Sequence, residues 1–150
     1  MVRPTGFGLT VAVSLLGFSP LVAAETHPFS IHDMLAMDRI SDPQISPDGG
    51  EAVFVLRTTD LEANRGRTDL WVIGTDGSGL RQLTTHPASD FNPRWAPDGK
   101  SMYFLSSRFD SVQVWRLPTG GGEAVPVTDL PLDAGTLVLA PDGSPIAFTR

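Results

Sequence analysis

The sequence predicts an all-β chain, an incomplete β-propeller of about two and a half four-stranded blades with a short N-terminal helix. Three observations carry that prediction. First, one turn occurs three times, as Ser46-Pro47-Asp48-Gly49, Ala96-Pro97-Asp98-Gly99 and Ala140-Pro141-Asp142-Gly143. Each copy follows an apolar residue (Ile45, Trp95, Leu139), and a phenylalanine stands seven residues after its proline (Phe54, Phe104, Phe148). Second, Trp71 and Trp115 each precede the next turn proline by 26 residues, so the repeat has a second fixed landmark. Third, 15 glycines and 13 prolines among 150 residues suit many short strands better than long helices.

The repeated turn has a physical basis. Proline pre-sets φ for the second position of a type I turn, aspartate tolerates the third, and glycine accepts a positive φ. Apolar side chains then alternate at the fifth and seventh positions after the proline: Ala52 and Phe54, Met102 and Phe104, Ile146 and Phe148. A period of two predicts a half-buried strand, so each turn joins two strands in a hairpin.

The spacing also locates an insertion. From Pro47 to Pro97 is 50 residues and from Pro97 to Pro141 is 44. Because both tryptophan-to-proline distances are equal, the excess lies between the second and third strands of the first repeat. There, residues 60–67 read as a polar hairpin extension. In the second repeat the expected strands are Asn92 to Trp95, Ser101 to Ser106, Val112 to Leu117 and Val125 to Thr128. Gly120-Gly121-Gly122 turns the last hairpin there, as Asp76-Gly77-Ser78-Gly79 does in the first repeat. A repeat of four short strands over 44 residues has the period of a propeller blade; a sandwich is not expected to return one turn at fixed offsets. The third blade reaches only its second strand by Arg150, so the chain reads as the front of a longer protein.

Domain boundaries follow. Residues 1–24 read as a secretory signal: Arg3 is the positive start, Phe7 to Phe18 the apolar run, and Val22-Ala23-Ala24 the small residues before a cut. Residues 25–40 form an N-terminal segment with one short helix. Ser30 is its expected N-cap with Asp33 three residues on, Phe29 can staple to Met34, and Ile31, Met34 and Leu35 share a face that must dock. Residues 41–150 are the partial propeller, with repeats at about 41–87, 88–131 and 132–150.

Composition excludes several functions. A net charge of −6 and the lack of any basic patch argue against nucleic acid as a partner. The lack of cysteine removes disulfides, thiolate-bound zinc and thiol catalysis. No membrane association is expected once the signal is cut. No Gly-x-Ser-x-Gly elbow occurs, and Ser78 sits in a hairpin turn. The histidines His27, His32 and His86 are not placed against a serine by any motif. Asp48, Asp98 and Asp142 read as turn residues rather than calcium ligands. Gly120-Gly121-Gly122 lacks the helix start of a phosphate loop. Trp71, Trp95 and Trp115 read as core, and Arg65 and Arg67 as a solvated hairpin tip. No catalytic, cofactor-binding or metal residue is therefore assigned.

The stretch from Phe29-Ser30-Ile31 through Asp38-Arg39-Ile40-Ser41-Asp42-Pro43-Gln44-Ile45-Ser46-Pro47-Asp48-Gly49 resembles the mature start of prolyl oligopeptidase family serine peptidases. The bacterial dipeptidyl aminopeptidase and acylaminoacyl-peptidase types are the nearest in pattern. The likeness continues in Asp69-Leu70-Trp71-Val72, Arg81-Gln82-Leu83-Thr84, Arg94-Trp95-Ala96-Pro97-Asp98-Gly99-Lys100, Phe104-Leu105-Ser106-Ser107-Arg108 and Gly121-Gly122-Glu123-Ala124. With the signal segment of residues 1–24, the protein is expected to be exported, periplasmic or secreted. The resemblance implies an N-terminal propeller that limits peptide access to a C-terminal α/β-hydrolase domain that this chain lacks, with peptides as the partners of that missing domain. The Pro-Asp-Gly blade alone is shared with TolB-type periplasmic propellers, so a non-enzymatic propeller that binds proteins is the alternative.

Overall fold

The computed structural model describes residues 27–140 and 142–149. The expected signal segment, Pro141, and the burial expected for Ile146 and Phe148 lie outside what is described. Among the described residues one helix, α1 (Ile31–Ala36), precedes ten strands. The first sheet holds β1 (Arg39–Ile45), β2 (Glu51–Asp60), β3 (Arg65–Gly74) and β4 (Arg81–Gln82) in that order. The second holds β5 (Asp90–Trp95), β6 (Ser101–Ser106), β7 (Gln113–Pro118) and β8 (Val125–Pro126). A third pairs β9 (Ala134–Leu139) with β10 (Pro145–Thr149). All pairings are antiparallel between sequence neighbours, which is the meander of a propeller blade. The fourth strands are shorter than the sequence suggested, because Val127 and Thr128 bond β7 beyond the regular ladder.

The three turns form as their residues dictate. Gly49, Gly99 and Gly143 donate to the carbonyls of Ser46, Ala96 and Ala140 at 2.9, 2.9 and 2.8 Å, with φ of +76°, +67° and +82°. Successive turns also touch: a β-carbon at Gly143 would lie 2.9 Å from the Pro97 ring. The turns therefore gather on one face of the array, here called the lower face. Strand direction then puts the β2–β3 and β6–β7 hairpins, and the N-terminal segment that enters β1, on the opposite, upper face. The insertion lies in the first of those hairpins, where β2 and β3 stay paired as far as Asp60 and Arg65.

The core lies between sheets. Val53, Val55, Leu70 and Val72 of the first blade pack on Trp95, Met102, Phe104, Trp115 and Leu117 of the second. The opposite side of the second blade packs Leu105 and Val114 on Ala134 and Leu137 of the third. This corrects the half-buried expectation. A middle blade is covered on both sides, so its strands are apolar on both faces, and the alternation picks out only one of them. In the first blade, Val53 and Val55 are buried, while the predicted pair Ala52 and Phe54 is only half-buried. Trp95 and Trp115 are core, as their positions suggested; Trp71 is half-buried, on a face with no blade against it among the described residues.

The N-terminal helix forms as expected but does not dock as expected. Ser30 and Asp33 close a capping box, yet no helix residue is buried. Phe29, Ile31, Met34 and Met37 are exposed instead.

Candidate functional site

The upper face concentrates the polar chemistry that strand pairing does not explain. Between the first and second blades lies a buried ionic group. Asp69, two residues before Trp71 on β3, is 2% exposed, and Arg67 Nε reaches its Oδ2 at 3.1 Å. Asp90 opens β5 and is 0% exposed; Arg108 from the β6–β7 hairpin reaches its Oδ2 at 2.7 Å. The Arg108 guanidinium lies 4.9 Å from the Trp115 ring centre and 5.6 Å from that of Phe104, so its charge is also held over aromatic faces. Burial pushes the Asp69 carboxyl above its ordinary range, opposed by Arg67 and reinforced by the Asp90 charge. Asp69 Oδ1, Asp90 Oδ1, Thr68 Oγ1, Ser106 Oγ and Arg108 Nε are buried without a hydrogen-bond partner. Arg67 was expected to be a solvated hairpin tip. The structure corrects this: its charge turns inward to a buried carboxylate, while Arg65 stays exposed.

A second device lies on the first strand of each blade. Asp42 and Asn92 both stand five residues before a turn proline, are both followed by proline, and have φ of +47° and +56°. Each sits where the ladder to the next strand slips, between Ser41 and Gln44 and between Phe91 and Arg94. A bulge of this kind re-aims a side chain, and aspartate and asparagine tolerate the left-handed conformation it needs. Both side chains reach the following blade. Asp42 accepts from Arg94 Nη1 at 3.1 and 3.3 Å, and Asn92 Oδ1 accepts from the Leu137 N–H at 3.2 Å. Motif reading passes over these residues, although the repeated Asp-Pro and Asn-Pro at one offset is a usable signal.

The remaining candidates have local structural roles. Asp48 Oδ1 accepts from the Gly50 N–H and Ser46 Oγ, Asp98 Oδ1 from the Lys100 N–H, and Asp142 Oδ1 from the Ser144 N–H and Oγ. The serine hydroxyl, then the backbone N–H, holds Asp48 and Asp142 below the ordinary carboxyl range. Asp76 is lowered in the same way by Ser78, whose hydroxyl donates to it at 2.7 Å. His27 contacts Asp33, and His86 Nδ1 accepts from the Ala88 N–H. Among the described residues no group of three or more histidine, aspartate or glutamate side chains converges as a metal site would require. Gly120-Gly121-Gly122 lies in the turn between β7 and β8, with Gly121 and Gly122 at positive φ.

The profile of the TolB beta propeller domain matches residues 36–150. The chain belongs to the TolB β-propeller family. The proteins it is similar to include both peptidases and TolB proteins. It is 33% identical over 118 residues to the uncharacterized peptidase YuxL of Bacillus subtilis (strain 168), covering 78% of this chain and 18% of that protein. It is 32% identical over 80 residues to dipeptidyl-peptidase 5 of Porphyromonas gingivalis, covering 53% of this chain and 12% of that protein. Identity to the Tol-Pal system protein TolB of Anaeromyxobacter dehalogenans is 44%, but over 50 residues, or 33% of this chain and 10% of that protein. The fold is also that of the Pyrococcus horikoshii acylaminoacyl peptidase, with TM-score 0.62 and 22% identity over 76% of this chain and 17% of that one. It superposes likewise on the AtxE2 isopeptidase, with TM-score 0.68 and 22% identity over 84% of this chain and 24% of that one. The chain thus spans under a fifth of the length of the peptidases it matches in sequence.

Proposed function

We propose that this TolB-type propeller segment belongs to an exported serine peptidase of the prolyl oligopeptidase family. In this reading its blades cover a C-terminal α/β-hydrolase domain and restrict which peptides reach it. The observation that carries the reading is the match to YuxL, 33% identity over 118 residues, against 33% over 85 residues to the TolB homolog of Chlorobium luteolum and 44% over 50 to the TolB of A. dehalogenans. The upper face is the side that would meet the hydrolase domain. The N-terminal segment leaves the blades there, with Phe29, Ile31, Met34 and Met37 exposed as a strip able to pack on a further domain. The apolar run and small residues of positions 7–24 support export to the periplasm or beyond.

The test is the coding sequence beyond Arg150 together with an assay. The peptidase reading expects further blades, then a Gly-x-Ser-x-Gly elbow followed by an aspartate and a histidine. It also expects the 150-residue chain alone to leave chromogenic peptide substrates intact. A frame that ends after the last blade would favour the protein-binding propeller, and serine-dependent turnover by the isolated chain would overturn the assignment.

A further inference from the structure

The upper face of the second blade carries a cavity of about 860 Å³ between the β6–β7 hairpin and the exit of β8. Its apolar wall is Phe109, Pro126 and Val127, and its rim carries Asp110 and Asp129. Phe109 is 50% exposed, and Val127 beside it is exposed as well, so the two form a small apolar surface at this rim. The Phe109 ring is nonetheless fixed, with its centre 5.1 Å from that of Trp115. At the same distance from the turn proline the first blade places Thr59, within the longer hairpin.

Charge decides the ligand. The one cation in the lining, Arg108, is compensated from beneath by the fully buried Asp90 at 2.7 Å. Asp110 and Asp129 make no ion pair among the described residues. The hydroxyls of Ser111 and Thr128 are engaged inward, by the Leu130 carbonyl and Gln113 Oε1, and leave the rim carboxylates as the free polar groups. The cavity therefore presents an aromatic and aliphatic wall beneath a net negative rim.

We infer that this cavity is a docking site for a peptide segment in which a lysine or arginine neighbours an aliphatic or aromatic residue. The apolar side chain lies against Val127 and Pro126, and the cation lies over the Phe109 ring between Asp110 and Asp129. An exposed cation–π contact and two rim ion pairs together amount to about a tenfold preference over an uncharged or acidic peptide. The site does not depend on a hydrolase domain following in the chain.

Fluorescence anisotropy of the 150-residue chain with fluorescein-labelled Gly-Lys-Leu-Lys-Phe-Gly and Gly-Glu-Leu-Glu-Phe-Gly tests this, with circular dichroism confirming that each variant is folded. The lysine peptide should bind about tenfold more tightly than the glutamate peptide at low salt. Asp110→Asn/Asp129→Asn should weaken it about fivefold, and Phe109→Ser by a similar factor. The equally charge-reducing Asp38→Asn/Glu62→Gln pair, at exposed positions away from the cavity, should leave it unchanged. Equal binding of the two peptides would overturn the proposal. So would a control pair as damaging as the rim pair, because binding would then follow net charge alone.

Discussion

The two inter-blade junctions are built at equivalent positions and solve the same problem with different chemistry. Asp69 and Gln113 both stand two residues before the landmark tryptophan, and Thr84 and Thr128 both stand thirteen after it. Asp90 and Ala134 both stand seven residues before the turn proline. At the second junction Gln113 is 1% exposed and fully bonded. Its amide donates to Ser111 Oγ and the Leu130 carbonyl, and its oxygen accepts from Thr128 Oγ1 and the Leu130 N–H. At the first junction two carboxylates and two guanidinium groups occupy the corresponding space, and one oxygen of each carboxylate has no partner. A neutral amide thus satisfies every group where the charged set does not. Burying charge costs several kcal/mol per ion before pairing returns it, so the ion pairs of the first junction contribute less to stability than their short distances suggest.

Breaking one ion pair gives the largest expected effect. Asp90→Ala leaves the Arg108 charge without its buried partner and should destabilise the chain by about 3–5 kcal/mol in urea unfolding. Replacing both partners, as Asp90→Leu with Arg108→Met, should cost far less or stabilise, and a loss equal to that of Asp90→Ala would break the comparison. At the neutral junction, Gln113→Leu keeps the volume but strands the Leu130 N–H and the Thr128 hydroxyl, at about 1–3 kcal/mol. Asp42→Ala removes the reach to Arg94 and leaves alanine in a left-handed bulge, so a loss of about 1–2 kcal/mol is expected.

The smallest effect is the most informative in its sign. Because burial raises the folded pKa of Asp69, its ionised form opposes folding at neutral pH, and that cost is relieved as pH falls toward the unfolded value of 3.8. Asp69→Gln, which copies the second junction, should therefore match or exceed the parent in stability at neutral pH. Its advantage should shrink between the raised pKa and pH 3.8, as urea midpoints across that range would show. Asp48, Asp76 and Asp142 have the opposite sign: their lowered pKa values support folding above pH 3.8, and the support is lost as pH falls through the folded values.

Local chemistry is legible in the sequence, and contacts between blades are not. Pro47, Asp48 and Gly49 determine their own turn, and equal tryptophan-to-proline distances are enough to place the insertion in the β2–β3 hairpin. Which face of β2 is buried depends on the neighbouring blade, so a period of two selects Ala52 and Phe54 where Val53 and Val55 carry the packing. The ionic junction joins residues from β3, β5 and the β6–β7 hairpin, and no spacing along the chain signals that meeting. The bulges differ in this respect, since Asp42-Pro43 and Asn92-Pro93 repeat at a fixed offset that a repeat alignment can detect. Capping residues likewise announce α1, but its docking partner is not a local property.

An upper face that carries the N-terminal segment, the costly ionic junction and an acidic, aromatic-walled cavity fits a surface used for contact. A fluorophosphonate probe applied to the polypeptide produced from the native gene tests the peptidase assignment most directly, with the labelled residue found by peptide mapping. A serine peptidase of this family should carry one labelled serine, downstream of Arg150 and within Gly-x-Ser-x-Gly. No label, or a label within residues 27–150, would contradict the assignment.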